Sequence, residues 1–378
     1  MITRRRTVIS AAAVVASPAL ARDPLLDVYR PALPGGKLRT HFIAAEEVAW
    51  DYAPSGRDEM MGHAFMPAAA PYVSRDGGGI GRVHTKALYV AYTDDTFSTK
   101  TPRAPEWQHT GLLGPVLRAE VGDVIRVIFR NRTRQPCSIH PHGVFYTKAD
   151  EGAGGNDGTS ATEKRDDAVP PGETQVYVWQ VPPRAGPGPR DPSSLLWLYH
   201  SRTDRPRDTN AGLIGAILVT RRGMAGPVLR PRDVDREFIT LWKIFNENRS
   251  WYLDEDAANA GFAPAARDSR FTQGNLKAAV NGYIFANLPL DTMTMRTGER
   301  VRWYMAALGG EVDAHAVHWH GNSVVMSGQR LDVVPLLPAQ HAVADMVPDN
   351  PGIWMIHCHV DEHLEAGMSA RYRVLPKR

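Results

Sequence analysis

Hydrophobic residues in this chain recur in short, partly alternating runs that glycine and proline interrupt. Val121-Gly122-Asp123-Val124-Ile125-Arg126-Val127-Ile128-Phe129-Arg130 is β-branched and follows a turn, which predicts a strand with one face inward. Residues 41–50, 175–179, 195–202 and 237–242 read the same way. No run has the length and three-to-four-residue period of a long amphipathic helix. The pattern predicts an all-β protein of many short strands.

The same pattern occurs twice. Gly122-Asp123-Val124-Ile125-Arg126-Val127 corresponds to Gly298-Glu299-Arg300-Val301-Arg302-Trp303. His140-Pro141-His142-Gly143 corresponds to His318-Trp319-His320-Gly321, and Trp197-Leu198-Tyr199-His200 to Trp354-Met355-Ile356-His357. Three matches in one order indicate a duplicated unit. A length of 378 residues fits two domains, placed at 22–223 and 233–378 with a Gly/Pro-marked linker at 224–232. The 29 prolines and 33 glycines suit many turns, and a hydrophobic fraction of 43% suffices for two cores.

Candidate chemistry concentrates near the C-terminus. Cys358, His363 and Met368 are spaced five apart, which suits a thiolate, an imidazole and a weak thioether around one copper ion. Neighbouring strand residues face opposite ways, so His357 and His359 point away from Cys358 and toward a second site. His315 precedes His318 by an odd offset. It therefore joins the Cys358 set, while His318 and His320 join His357 and His359. In the first half, His140 and His142 share a face, as do His200 and Arg202. Gly143 lets backbone approach closely beside the first pair.

The N-terminus changes the expected location. Thr3-Arg4-Arg5-Arg6, a short apolar run and Ala19-Leu20-Ala21 read as a twin-arginine-type export signal over 1–21. The apolar run is too short to span a bilayer, so the mature protein is expected in the periplasm or secreted, with no membrane insertion. Signal removal lowers Lys+Arg from 44 to 41 against 41 Asp+Glu, a balance that gives no reason to expect nucleic-acid binding. Cys137 and Cys358 can form a disulfide in that compartment, but Cys358 is better used as a thiolate, leaving Cys137 as a small buried hydrophobe. The acidic, glycine-rich loop 147–173 can hold Ca²⁺ near Asp166 and Asp167, or simply be solvated.

With these motifs together, the chain resembles the multicopper oxidases over residues 40–374. The intervening sequence is most similar to the ceruloplasmin and hephaestin branch, as at His140-Pro141-His142-Gly143-Val144-Phe145-Tyr146 and 207–215. The resemblance implies two cupredoxin-like Greek-key β-sandwich domains. It assigns His315, Cys358, His363 and Met368 to a type 1 copper, and His140 and His318 to a type 2 copper. It gives His142, His200 and His359 to one type 3 copper, and His320 and His357 to the other. A histidine is expected where Arg202 stands, and a guanidinium is no copper ligand. Ser201 stands where a first-domain type 1 cysteine would be, unlike in copper nitrite reductases.

The implied activity is oxidation of a phenol, or of a metal ion such as Fe²⁺, coupled to reduction of O₂ to water. The alternatives are an electron-transfer or copper-holding protein with a degenerate cluster, or a nitrite-reductase-like enzyme. Asp361 is a candidate proton relay or a plain surface carboxylate, and Glu362 a guide for a cationic donor. Glu311 and Asp313 add negative potential near His315, or merely mark an exposed strand edge. The acidic and histidine pair of ceruloplasmin is missing from Gln273-Gly274-Asn275-Leu276-Lys277-Ala278, which favours a phenol oxidase. Two-domain relatives close as homotrimers with clusters between subunits, and the same assembly is expected.

Overall fold

The computed structural model describes residues 35–310 and 313–377. The 1–21 signal and Glu311 lie outside the described residues. In the first half, the strand Leu38–Asp51 lies antiparallel to Val83–Tyr92 and parallel to Val124–Asn131, which pairs in turn with Thr174–Gln180. A second sheet orders Leu117–Glu120, Ile214–Thr220, Ser194–His200 and His140–Pro141. Val124–Asn131 alternates buried and half-buried residues after its first two, as a strand with one face on a core must.

The second half repeats these pairings. Arg236–Asn246 lies antiparallel to Leu276–Val280 and parallel to Val301–Ala307. Gly352–Cys358 lies antiparallel to both Ser369–Leu375 and His315–Trp319. His140 pairs in register with His200, and His318 with His357, so the duplication extends to individual backbone partners.

Each half packs its two sheets around its own core. Ile125, Val127, Phe129, Tyr177 and Trp179 fill the first; Trp242, Trp303, Trp319, Ile356 and Tyr372 fill the second. A third apolar cluster joins the halves, with Leu196, Leu198 and Ile214 meeting Ile239, Leu241 and Phe245. Outward-facing residues of the central strands are therefore apolar too, because each sandwich covers one face of the other.

The repeated glycines have a shared physical cause. Gly143 and Gly321 have φ of +76° and +73°, and a Cβ there would lie 2.2 Å from Trp197 and 2.4 Å from Trp354. Each tryptophan thus lies on backbone beside a histidine pair. Among the described residues, no helix is long and apolar enough to cross a membrane.

Candidate functional site

Cys358 ends its strand, and the chain turns directly into the short helix Asp361–Glu365. That turn brings His363 back beside the cysteine. His315 comes from the antiparallel neighbour strand. Its Nδ1 lies 3.2 Å from His363 Nδ1, and Cys358 Sγ lies 3.9 Å and 3.6 Å from the two nitrogens. All three residues are buried. Met368 is buried in the same core, and its carbonyl accepts from Cys358 N at 3.0 Å.

Burial alone would raise the Cys358 thiol, but His315, His363 and the Ala316 and Val360 amides outweigh it and bring the pKa down to about 6. His315 is raised although burial opposes protonation, because Asp313 and Cys358 favour the cation. Asp313 Oδ1 lies 3.5 Å from His315 Nε2, an ion-pair contact without hydrogen-bond geometry. Asp313 is itself buried and held by the Ile244 and Gly310 amides, so it is no exposed strand-edge acid. Two imidazoles and a stabilised thiolate form a donor set that fits copper by ligand softness and number.

The opposite side of the same strands carries a second group. His357 Nε2 lies 3.2 Å from His318 Nδ1 and 3.1 Å from His320 Nε2. The His359 ring lies 5.4 Å from His318 and 5.7 Å from His357. Burial, then neighbouring imidazoles, lower the pKa of His318, and burial chiefly lowers that of His357. These rings are therefore disposed to be neutral and to offer lone pairs. This set opens to the surface beside Trp354, and His359 is exposed.

The first half holds a matching set. His142 Nε2 lies 3.0 Å from His200 Nε2, and the His140 ring lies 5.4 Å and 5.7 Å from those of His142 and His200. Burial lowers His142 to about 4 and His200 to about 3. His200 Nδ1 meets Ser201 O at 2.9 Å, as His357 Nδ1 meets Cys358 O at 2.7 Å. A proton fixed on Nδ1 leaves Nε2 free for a metal. Arg202 is exposed and its amide donates to Ser138 Oγ, yet its charge lies close enough to disfavour protonated His140 and His142. Among the described residues, no hydrogen bond or ring contact links this set to His318, His320, His357 or His359.

Other candidates sit apart from these groups. Asp361 and Glu362 are exposed in the first turn of their helix, and neither carboxylate has a hydrogen-bond or ion-pair partner among the described residues. In the 147–173 loop, Asp166 is buried and accepts from the Gly152 amide, while half-buried Lys164 bonds Asp157. Among the described residues, no three carboxylates of that loop converge within 4.8 Å. Sequence reasoning missed His341. Its ring lies 6.0 Å from His142 and 5.9 Å from Trp197, and its Nε2 is buried without a partner. It comes from the other half of the chain with no local spacing to signal it.

Comparison with known proteins places the chain among copper-dependent oxidases. Models described as multicopper oxidase match residues 90–223 and 263–378. The chain is 42% identical to "Ferroxidase HEPHL1" of Homo sapiens over 348 residues, 90% of this chain and 30% of that protein. It is 38% identical to human hephaestin and to human ceruloplasmin, covering 91% and 89% of this chain and 30% and 31% of those proteins. The chain thus spans about a third of the length of these curated relatives. A crystal structure of a multicopper oxidase superposes with a TM-score of 0.57 at 19% identity, covering 91% of each chain. A copper nitrite reductase from Nitrosomonas europaea gives 0.55 at 17%, covering 90% of this chain and 94% of that one. The fold is that of two cupredoxin-like β-sandwiches.

Proposed function

This chain belongs to the multicopper oxidase family, and from that premise we propose that it is a copper-dependent oxidase that couples oxidation of a small reducing substrate to reduction of O₂ to water. The observation that carries the reading is Cys358 itself. Its sulfur belongs to one ligand group, and the imidazoles of its two chain neighbours belong to another.

His315, Cys358 and His363, with the Met368 thioether, would hold a type 1 copper in this reading. His140 and His318 would hold type 2 copper; His142, His200 and His359 would hold one type 3 ion; His320 and His357 would hold the other. Copper bound there supplies one-electron chemistry between the reductant and O₂. Cys358 and its flanking residues connect the two groups through covalent bonds. Asp313 orients His315, and the Ser201 and Cys358 carbonyls orient His200 and His357. Asp361 acts as a proton relay, and Glu362 sits where it can guide a cationic donor.

Among the described residues, no hydrogen bond or ring contact joins the two histidine sets of one chain, and the second is open to the surface. A homotrimer that closes the first domain of one copy on the second domain of the next would join them. Export through the 1–21 signal places the protein in the periplasm or outside the cell. A ferroxidase reading draws on the similarity to human ferroxidase HEPHL1 and makes Fe²⁺ the substrate.

Copper content, visible absorption and O₂ uptake with catechol or Fe²⁺ test the proposal on one preparation. A blue copper protein that consumes O₂ is expected. Blue colour without O₂ uptake, with uptake gained in Arg202→His, would show that the natural protein is no oxidase. A colourless copper-loaded protein would refute the type 1 assignment.

A further inference from the structure

Behind Asp313 lies a cavity of about 500 Å³, in the size range of small-molecule sites. Among the described residues, its charged lining is Arg205, Lys243, Arg249 and Asp313. Arg205 and Arg249 are exposed, and Lys243 is 2% exposed. Ile244, Leu276 and Leu308 give it an apolar wall.

Lys243 is the unusual member. It sits on a strand whose neighbouring inward positions, Leu241 and Phe245, join the apolar cluster between the halves. An ammonium carries three donors. Among the described residues the Lys243 ammonium makes one hydrogen bond, 3.4 Å long, to Ile244 O, and otherwise lies over the Phe245 ring at 5.3 Å. No carboxylate among the described residues comes within 4.0 Å of it. Behind it, Lys86 and Glu247 pair with each other, and Asp313 has its oxygens on the Ile244 and Gly310 amides and beside His315. A buried charge left this way is costly unless something pairs with it. Among the described residues, the charged lining is thus three cations against one committed carboxylate. Burial lowers the Lys243 pKa, while Asp313 opposes that and favours the charged form.

We propose that this cavity binds the reducing substrate, and that the substrate is a small aromatic anion such as a phenol bearing a carboxylate. The carboxylate pairs with Lys243, with Arg205 and Arg249 drawing it in at the mouth. The ring lies along Ile244, Leu276 and Leu308, beside the Asp313–His315 contact. This assignment rests on the oxidase reading above. The phenol gives up one electron through His315, O₂ is the final acceptor, and the phenolic proton leaves through the mouth to solvent. The same three cations repel Fe²⁺, which sets this site apart from one built for a metal-ion donor.

The test uses the full-length copper-loaded protein. O₂ uptake is compared for 3,4-dihydroxybenzoate and neutral 4-methylcatechol, and benzoate binding is measured by calorimetry. Lys243→Met and Arg249→Gln are expected to raise KM for the anionic catechol by about tenfold or more, to weaken benzoate equally, and to leave the neutral catechol within about twofold. Arg249 is exposed, so its variant stays informative if Lys243→Met fails to fold. Equal losses for both catechols, or no benzoate binding by the unaltered protein, overturn the site. If neither catechol is oxidised, the oxidase reading fails and the titration alone decides the cavity. Benzoate binding lost in the variants then supports an anion site, and its absence overturns one.

Discussion

The two halves of the chain contain the same pocket with different residues in it. Ser201 follows His200 as Cys358 follows His357, and Cys137 precedes His140 by three residues as His315 precedes His318. The backbone treats both alike: Ser138 N donates to Ser201 Oγ at 3.0 Å, and Ala316 N approaches Cys358 Sγ at 3.5 Å. A short helix follows each, carrying Asp208 in one and His363 in the other. In the first half, Ser201 Oγ donates to Asp208 Oδ2 at 2.6 Å, and burial pushes the Cys137 thiol well up. In the second, two imidazoles lower the thiol of Cys358. One scaffold position is thus a hydrogen-bonded knot and the other a candidate metal site, because a few side chains decide whether charge is stabilised there.

Cys358→Ser breaks the comparison most severely by making the second pocket resemble the first. Loss of the blue absorption and at least about a hundredfold loss of O₂ uptake are expected, since the thiolate is the soft ligand. An unchanged visible spectrum would refute its role.

Gly143→Ala and Gly321→Ala should each destabilise their half by about 4 kcal/mol, from overpacking against tryptophan plus a left-handed backbone. Urea unfolding checks this, and similar losses at both positions would confirm that the duplicated corners are physically equivalent.

Asp208 is buried, and burial raises its pKa to about 6 despite the hydrogen bonds from Ser201 and Asp204. A raised carboxyl binds protons more tightly in the folded state. Its favourable contribution is full below about pH 4 and is lost as pH rises through about 6, a span of up to about 3 kcal/mol. Asp208→Asn keeps an acceptor oxygen for Ser201 and should remove that slope, read as the difference from the unaltered protein between about pH 4 and pH 7. Ser201→Ala should cost about 2 kcal/mol by leaving the Ser138 amide and Asp208 short of a partner, with copper content unchanged.

Much of the site was legible because ligand chemistry restricts residue type and strand parity restricts facing. His315 could be grouped with Cys358 from an odd offset alone, and the structure puts their donor atoms 3.9 Å apart. The duplicated motifs were visible in the sequence, while the paired registers at His140–His200 and His318–His357 came from the structure. Parity could not tell whether Asp313 was buried or exposed, because that depends on the Ile244 amide of a distant strand. Nor could it show that Arg202 points outward, or that His341 reaches across from the other half to His142.

The sequence by itself determined the all-β class, the duplication, the family resemblance and the sorting of histidines into groups, since alternation and ligand spacing are local properties. Tertiary structure decided which groups meet. The two halves bury a shared apolar face, and that packing brings Lys243, Arg205 and Asp313 to one cavity and sets the first histidine set apart from the second. Distances across that face depend on how two sandwiches dock, which no periodicity within either one specifies.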